Sequence, residues 1–324
     1  MRRREFIALI GVIGAVWPRS LVAQPTDQPG NKVHRIGFLA SVPHERIEAF
    51  TRALQEDGYV EGKNIIIERR FWKNDPEQLA KYAAELVALD VEVIVAPSTP
   101  ETVAARAVTR TIPIVTATGD AVGVGLAASL ARPGGNVTGL TAVGATDKNF
   151  GLLVELLPGA SRFAVLLDPD NGYHAQTMAG LQKTAAERRL EVLPVVKRSV
   201  DDIGPAFRTM ASKDVQGLLV LADPITYANR RKIVELAAHH RIPAVYHFRE
   251  EAVEGGLLAY GADIVDLNRR SAAYVAKLLK GAKAAELPIE QAERFLLVIN
   301  LRTARALGLN IPTTLLATAD EVIE

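Results

Sequence analysis

The sequence contains no cysteine. Disulfide bonds, thiolate metal sites, a cysteine nucleophile and a lipid-modified N-terminal cysteine are therefore excluded. The patterns G-x-S-x-G, H-E-x-x-H and G-x-x-x-x-G-K-[ST] are also missing, and with them the usual signatures of a serine hydrolase, a zinc protease and a P-loop. We predict that the chain is not an enzyme and that it needs no metal and no cofactor.

The charge balance gives no sign of a nucleic-acid-binding surface. The 38 Lys and Arg residues and the 37 Asp and Glu residues leave a formal net charge of +1. Residues 1–23 contain four Arg and one Glu, a net charge of +3, so the remainder carries +1 − 3 = −2. Because nucleic-acid binding needs a concentration of positive charge, we predict no nucleic-acid partner.

The N-terminus has the layout of a secretory signal peptide. Three arginines precede an apolar run over residues 6–16, and Ala23 offers a small residue for cleavage. That run is too short to span a bilayer, and no later segment is long and apolar enough to do so. We predict a signal peptide over residues 1–23, a flexible leader over 24–32 and a soluble periplasmic protein. The letters RREFI also fit a twin-arginine signal, so Sec and twin-arginine export both remain open.

Residues 91–120 predict a strand, a helix and a second strand. Val91 and residues 93–96 form a short apolar, largely β-branched run, which is typical of a strand buried on both faces of a parallel sheet. Ser98, Pro100 and Glu101 then provide a hydroxyl cap, a proline in the first turn and an acid at the capping-box spacing. Residues 112–115 begin the next strand.

The same order of elements returns in the second half of the chain, where VQGLLVLAD, a helix and IPAVYHFRE parallel the first stretch. Two similar halves predict two α/β lobes with parallel sheets and a ligand cleft between them. Ligands of such sheets bind beyond the carboxyl ends of the strands. The strand-end candidates are Ser41, Ser98, Thr99, Thr118 and Asp120 in the first lobe, and Asp168, Asp170, Asn171, Asp223, Tyr246 and Glu250 in the second.

Two interpretations of the strand-end residues stay open. Ser98 and Thr99 either only cap their helix or also bind a ligand carboxylate at the helix N-terminus. Asp223 either caps the helix that follows it or accepts a charge-assisted hydrogen bond from a ligand ammonium. The histidines after strands, His44, His174 and His247, have no spacing that supports a metal site.

A glycine motif lies at residues 123–128 and matches G-x-G-x-x-A. It follows the fourth predicted strand rather than the first, and no acid follows at the position that would hold a ribose. We therefore predict a closely packed helix over 123–131 rather than a nucleotide site.

Four stretches resemble a known family, the ABC transporter substrate-binding proteins of the type I periplasmic-binding fold, which includes tryptophan- and tyrosine-binding lipoproteins. The resemblance covers residues 33–324. It is carried by GYVEGKN at 58–64, SLARPGGNVTGL at 129–140, LLPG at 156–159 with VLLDPDN at 165–171, and VINL at 298–301 with ALGL at 306–309.

This resemblance implies two interleaved lobes, one formed by residues 33–141 plus about 257–285 and the other by 142–256 plus about 286–324. The solute-contact positions of the family fall on Ser41, Ser98, Thr99, Thr118, Asp120, Asn171, Asp223 and Tyr246. Ala121 stands where the family usually has proline, and Pro97-Ser98 replaces a glycine-rich turn, so the ligand can differ from an aromatic amino acid.

The function implied is capture of a small polar, amino-acid-like solute by closure of the cleft, and its delivery to the membrane permease of an ABC importer. We expect a monomer. An exported α/β enzyme and a ligand-sensing module of a membrane sensor remain alternatives. A DNA-binding repressor is disfavoured, because the export signal occupies the place of its head domain.

Overall fold

The computed structural model describes residues 32–43 and 46–324. The predicted signal peptide and leader, and His44, lie outside the described residues. The strands are β1 (His34–Ala40), β2 (Ile65–Phe71), β3 (Val93–Ala96), β4 (Ile114–Thr118), β5 (Val137–Thr141), β6 (Arg162–Leu167), β7 (Glu191–Val196), β8 (Gly217–Val220), β9 (Ala244–Tyr246), β10 (Leu258–Ala262), β11 (Glu290–Gln291), β12 (Phe295–Asn300) and β13 (Glu321–Ile323).

Helices connect most of these strands. They are α1 (Arg46–Glu56), α2 (Pro76–Ala88), α3 (Thr99–Val108), α4 (Ala145–Leu156), α5 (Gly172–Glu187), α6 (Ile203–Ser212), α7 (Pro224–Ala228), α8 (Arg230–His239), α9 (Arg249–Val253), α10 (Ile264–Leu279), α11 (Leu301–Leu307) and α12 (Thr313–Leu316). In the part of the chain that the structure describes, none of them is long and apolar enough to cross a membrane.

The strands form two sheets. The first has the order β11-β5-β4-β3-β1-β2, and its neighbouring strands all pair in parallel. The second has the order β13-β12-β10-β9-β8-β6-β7 and is parallel except where β10 meets β12. Parallel neighbouring strands need a crossover connection, and the helices that alternate with the strands supply it. The predicted α/β class with two parallel sheets is confirmed.

Both faces of each sheet are covered by helices, which explains the nearly continuous apolar strands. In the first sheet, Ile36 and Phe38 of β1 pack towards α1 and α10, whereas Leu39 packs on the other face towards α2. In the second sheet, Phe163 and Val165 of β6 face α4 and α5. The residues between them, Ala164 and Leu166, face α6 and α8.

The chain passes between the two sheets more than once. β10 pairs with β9 and β12 in the second sheet, but α10, which follows it, packs against α1 beside the first. β11 then extends the first sheet beside β5, and β12 returns to the second. The family resemblance assigns residues from about 257 to 285 to the first lobe and residues after about 286 to the second, whereas β10 lies in the second sheet and β11 in the first. The lobe boundaries as a whole stay a prediction.

Two predicted helices differ from the structure. Residues 123–131 form turns, because Gly125 has a φ of +72° and Leu126 N and Ala127 N both donate to the carbonyl of Ala121. The single helix predicted after Asp223 is divided into α7 and α8 at Asn229, whose φ and ψ of −112° and 18° are not helical. Helix α4 was not predicted.

Candidate functional site

A cavity lies where strand ends of the two sheets meet. Its walls come from the segments after β1, β3 and β4 of the first sheet and after β8, β9 and β10 of the second. The centres of water molecules can reach about 140 Å³ of its interior. That space holds on the order of ten water-sized groups, which is the size range of an amino acid.

Six of the eight predicted ligand-binding residues line this cavity: Ser41, Ser98, Thr99, Thr118, Asn171 and Asp223. The structure does not bring Asp120 and Tyr246 to its walls. The Asp120 carboxylate accepts from the backbone N–H groups of Val122 and Gly123 and stabilises the turn there. The Tyr246 side chain is buried in the core between the second sheet and α6 and α8, so the next residue, His247, faces the cavity instead.

On the first-sheet wall, Ser98 does more than begin a helix. It occupies the N-cap position of α3, but its side chain makes no capping hydrogen bond within the described structure. Its hydroxyl donates instead to the Glu101 carboxylate, whose other oxygen accepts from the Trp72 indole N–H at 2.9 Å. Since the Ser98 hydrogen is used, its oxygen is left to accept a hydrogen bond.

Thr99 and Thr118 form a hydroxyl pair on the same wall, with 2.7 Å between their Oγ1 atoms. Both side chains are buried. One hydroxyl donates to the other, so the second keeps its hydrogen for a ligand. This pair therefore offers one hydrogen-bond donor to the cavity.

On the second-sheet wall, Asp223 is held by two protein donors. Its Oδ1 accepts from Thr226 N at 2.7 Å, which caps α7, and its Oδ2 accepts from Lys197 Nζ at 2.5 Å. Lys197 is completely buried. Sequence analysis missed this lysine, although it directly follows β7 and so carries the same strand-end signal as the residues that were selected.

His174 lies beside this ion pair, with its Nδ1 3.8 Å from Asp223 Oδ2. Asp168 N donates to Nδ1 and Nε2 donates to the carbonyl of Ala222. Burial lowers the pKa of His174, so the ring is neutral. Burial alone would raise the pKa of Asp223, but the adjacent Lys197 ammonium lowers it below its usual value, so Asp223 is ionised.

Two buried polar groups face the cavity with unused donors. Asn171 is 4% exposed; its Oδ1 caps α5 by accepting from Tyr173 N, whereas its Nδ2 has no hydrogen-bond partner among the described residues. Ser41, a residue that is 6% exposed, likewise has no partner for its hydroxyl in the described ranges. These donors suit a bound oxyanion.

His247 contributes a neutral ring to the wall. Its Nδ1 donates to the carbonyl of Val220 at 2.9 Å, and its Nε2 accepts from the Thr146 hydroxyl at 3.1 Å. Burial lowers the pKa of His247 to about 4. No group of three His, Cys, Asp or Glu residues suitable for a metal ion occurs in residues 32–43 and 46–324.

Aromatic rings line another part of the cavity. Tyr173, Tyr227 and Phe248 are all in its walls, and the rings of Tyr227 and Phe248 meet edge to face with centroids 5.1 Å apart. Binding sites for small molecules commonly combine such apolar surfaces with a few convergent polar groups.

Comparison with known proteins places the chain in a family. Residues 41–323 match the family model described as ABC transporter substrate binding protein. The chain belongs to this family. The resemblance seen in the sequence is thereby confirmed, and the family is one of substrate-binding proteins rather than of enzymes.

Individual relatives agree with this substrate-binding family. The tyrosine-binding protein of Clostridioides difficile (strain R20291) is 26% identical over 283 residues, which cover 86% of this chain and 82% of that protein. A crystal structure of a conserved domain protein from Vibrio cholerae has a TM-score of 0.84 at 27% identity, covering 90% and 100% of the two chains. The ABC domain from Streptococcus pneumoniae in complex with L-Trp has a TM-score of 0.82 at 24% identity, with the same coverages, and shows the shared fold.

Proposed function

We propose that this protein captures an amino-acid-like solute in the cavity between its sheets and delivers it to the membrane permease of an ABC importer, after export to the periplasm. The observation that carries the proposal is the set of unused donors that two largely buried residues, Ser41 and Asn171, present in a cavity lined from both sheets. Membership of the substrate-binding family supports it. The name of the tyrosine-binding relative suggests the solute class.

The hydrogen-bonding groups suggest how a zwitterion would lie. We infer that its carboxylate takes the N–H groups of Asn171, the Ser41 hydroxyl and the remaining hydroxyl hydrogen of the Thr99–Thr118 pair. Its ammonium then donates to oxygens that can only accept, those of Ser98 and Asp223. This assigns Ser98 to the ammonium, whereas the two interpretations of the sequence have it either only cap its helix or also bind the carboxylate.

The side chain of the solute would lie against the aromatic rings. Tyr173, Tyr227 and Phe248 supply apolar faces and edges that suit an aromatic ring. An L-tyrosine or L-tryptophan side chain fits this chemistry, and L-tyrosine is our first probe.

Binding would favour the closed arrangement, because groups from both sheets then contact one solute. Hinge closure of this kind is a shift of population driven by the higher affinity of the closed form. Closure also changes the surface that a permease would recognise.

A thermal-shift screen tests the proposal. The processed protein, purified free of solute by unfolding and refolding, is heated with L-tyrosine, L-tryptophan, other amino acids, purines and small carboxylates. A specific ligand raises stability by about 2.7 kcal/mol at 100 times its Kd. If residues 1–23 are removed, Trp72 is the one tryptophan left in the sequence, and its fluorescence reports binding through Glu101. No stabilisation by any amino acid would contradict the proposed ligand class.

A further inference from the structure

The most unusual group near the cavity is a buried lysine that no part of the proposed function yet uses. The Lys197 side chain is 0% exposed and that of Asp223 is 1% exposed, with 2.5 Å between Nζ and Oδ2. Lys197 follows the edge strand β7, and Asp223 follows β8 two strands away. Lys197 therefore reaches across the end of β6 to pair with an acid that lines the cavity.

The pair has a definite effect on the charge of that wall. The other titratable groups around Asp223 are His174, whose neutral ring donates to Ala222, and Asp168, which lies farther towards the solvent. An ionised carboxylate has about four lone-pair sites. Asp223 uses two of them, for Thr226 N and Lys197 Nζ, and keeps the others for a solute.

We infer that Lys197 is a specificity-determining positioning residue, which makes Asp223 half of a neutral ion pair so that the cavity accepts a zwitterion rather than a net cation. The inference rests on the proposed function, since it assigns the solute ammonium to Asp223. With the pair intact, the ammonium of a zwitterion gains a charge-assisted hydrogen bond. A solute with no carboxylate brings uncompensated positive charge close to the Lys197 ammonium.

Removal of the lysine should reverse this preference. In Lys197→Met, Asp223 is a buried carboxyl with no counter-charge, and such a group takes up a proton. A solute ammonium that binds there must ionise it again, so binding releases a proton. Asp223→Asn changes the wall in the opposite direction, because it leaves the lysine ammonium without its partner while the amide oxygen can still cap α7.

Three probes that differ by one group separate these effects: L-tyrosine, tyramine without the carboxylate, and 3-(4-hydroxyphenyl)propionate without the ammonium. Titration calorimetry in two buffers of different ionisation enthalpy gives the Kd and the protons released. We expect Lys197→Met to favour tyramine over the propionate by about tenfold or more relative to the unmodified protein, with proton release on tyramine binding. Asp223→Asn should move the same ratio the other way, and the double variant should release no proton.

A ligand-free measurement keeps this inference separate from the proposed function. The ¹³C carboxyl resonance of Asp223, assigned by its loss in Asp223→Asn, should report an ionised group at pH 7 in the unmodified protein and a protonated one in Lys197→Met. An ionised Asp223 in Lys197→Met, or an unchanged probe ratio in both single variants, overturns the inference. If no probe binds the unmodified protein, the proposed function fails and the zwitterion preference fails with it, and the carboxyl resonance then shows only whether Lys197 keeps Asp223 ionised. If Lys197→Met does not fold, the probe ratio of Asp223→Asn decides.

Discussion

Glu251, in α9, should make the stability of the protein depend on pH. Its side chain is 0% exposed; Oε2 accepts from Phe248 N at 2.9 Å, while Oε1 has no hydrogen-bond partner in the described part of the chain. Burial raises the pKa of Glu251 from 4.5 to about 8. At neutral pH the native protein therefore keeps a proton on this group that the unfolded chain has released.

The size of the effect follows from the two pKa values. Between pH 4.5 and about 8 the native state binds more protons than the unfolded state, so the free energy of unfolding falls as pH rises. The slope is about 1.4 kcal/mol per pH unit, and the whole interval costs on the order of 5 kcal/mol as an upper bound. Below pH 4.5 this stabilising contribution is fully present, and above pH 8 it is lost. Such a change is a large share of the stability of an ordinary domain.

Glu251→Gln tests this reasoning because glutamine keeps the acceptor for Phe248 N and cannot ionise. Urea denaturation from pH 5 to 9 should show that the difference in unfolding free energy, variant minus unmodified protein, grows as pH rises to about 8 and then levels off. Exposed Glu187→Gln serves as the control for an acid-to-amide change on a helix. Parallel pH profiles for the unmodified protein and Glu251→Gln would refute the assignment of a buried, protonated carboxyl.

Three further changes have definite expected results. Asn171→Asp keeps the oxygen that caps α5 but removes the N–H donors, so the Kd for L-tyrosine measured by calorimetry should rise roughly 10- to 150-fold; an unchanged Kd would mean that Asn171 does not bind the carboxylate. Gly261→Ala places Cβ 2.0 Å from the carbonyl oxygen of His247 and should lower the unfolding free energy by about 1–3 kcal/mol or more. The control Gly151→Ala adds its Cβ in open space on α4 and should raise the unfolding free energy by about 0.5–1 kcal/mol. Equal effects of the two variants in urea denaturation would contradict the close contact at Gly261. The pKa of His247 is lowered from 6.5 to about 4, so the unfolding free energy should fall by about 1.4 kcal/mol per pH unit as the pH is lowered from 6.5 towards 4. His247→Gln should flatten this part of the plot of unfolding free energy against pH. An unchanged plot in the variant would speak against a buried, neutral ring.

Much of the fold could be predicted because local signals were strong. The strand predicted over the stretch 91–96 contains β3, and α3 begins at Thr99, directly after the predicted cap residue Ser98, since a proline in the first turn is a clear start signal. The carboxyl ends of parallel strands meet at one edge of a sheet. From that rule we could predict the shared location of the six strand-end residues that line the cavity.

The remaining features depend on contacts between distant residues. Tyr246 is the last residue of β9 and His247 follows it, and only packing against α6 and α8 decides that the tyrosine is buried in the core while the histidine faces the cavity. The partners of Ser98 and Asp223 could not be predicted either. Glu101 has the spacing of a capping box in the sequence, but its carboxylate accepts a hydrogen bond from the Ser98 hydroxyl. Lys197 pairs with Asp223 although a helix and a strand separate the two residues in the sequence.

The central claim is that the cavity holds an amino-acid-like solute, and titration calorimetry of L-tyrosine and L-tryptophan into solute-free protein tests it most directly. We predict saturable binding of one molecule per chain, weakened in Asn171→Asp while the unfolding free energy is retained. No binding heat with either amino acid in the unmodified protein, or binding that is equally strong in Asn171→Asp, would contradict the account.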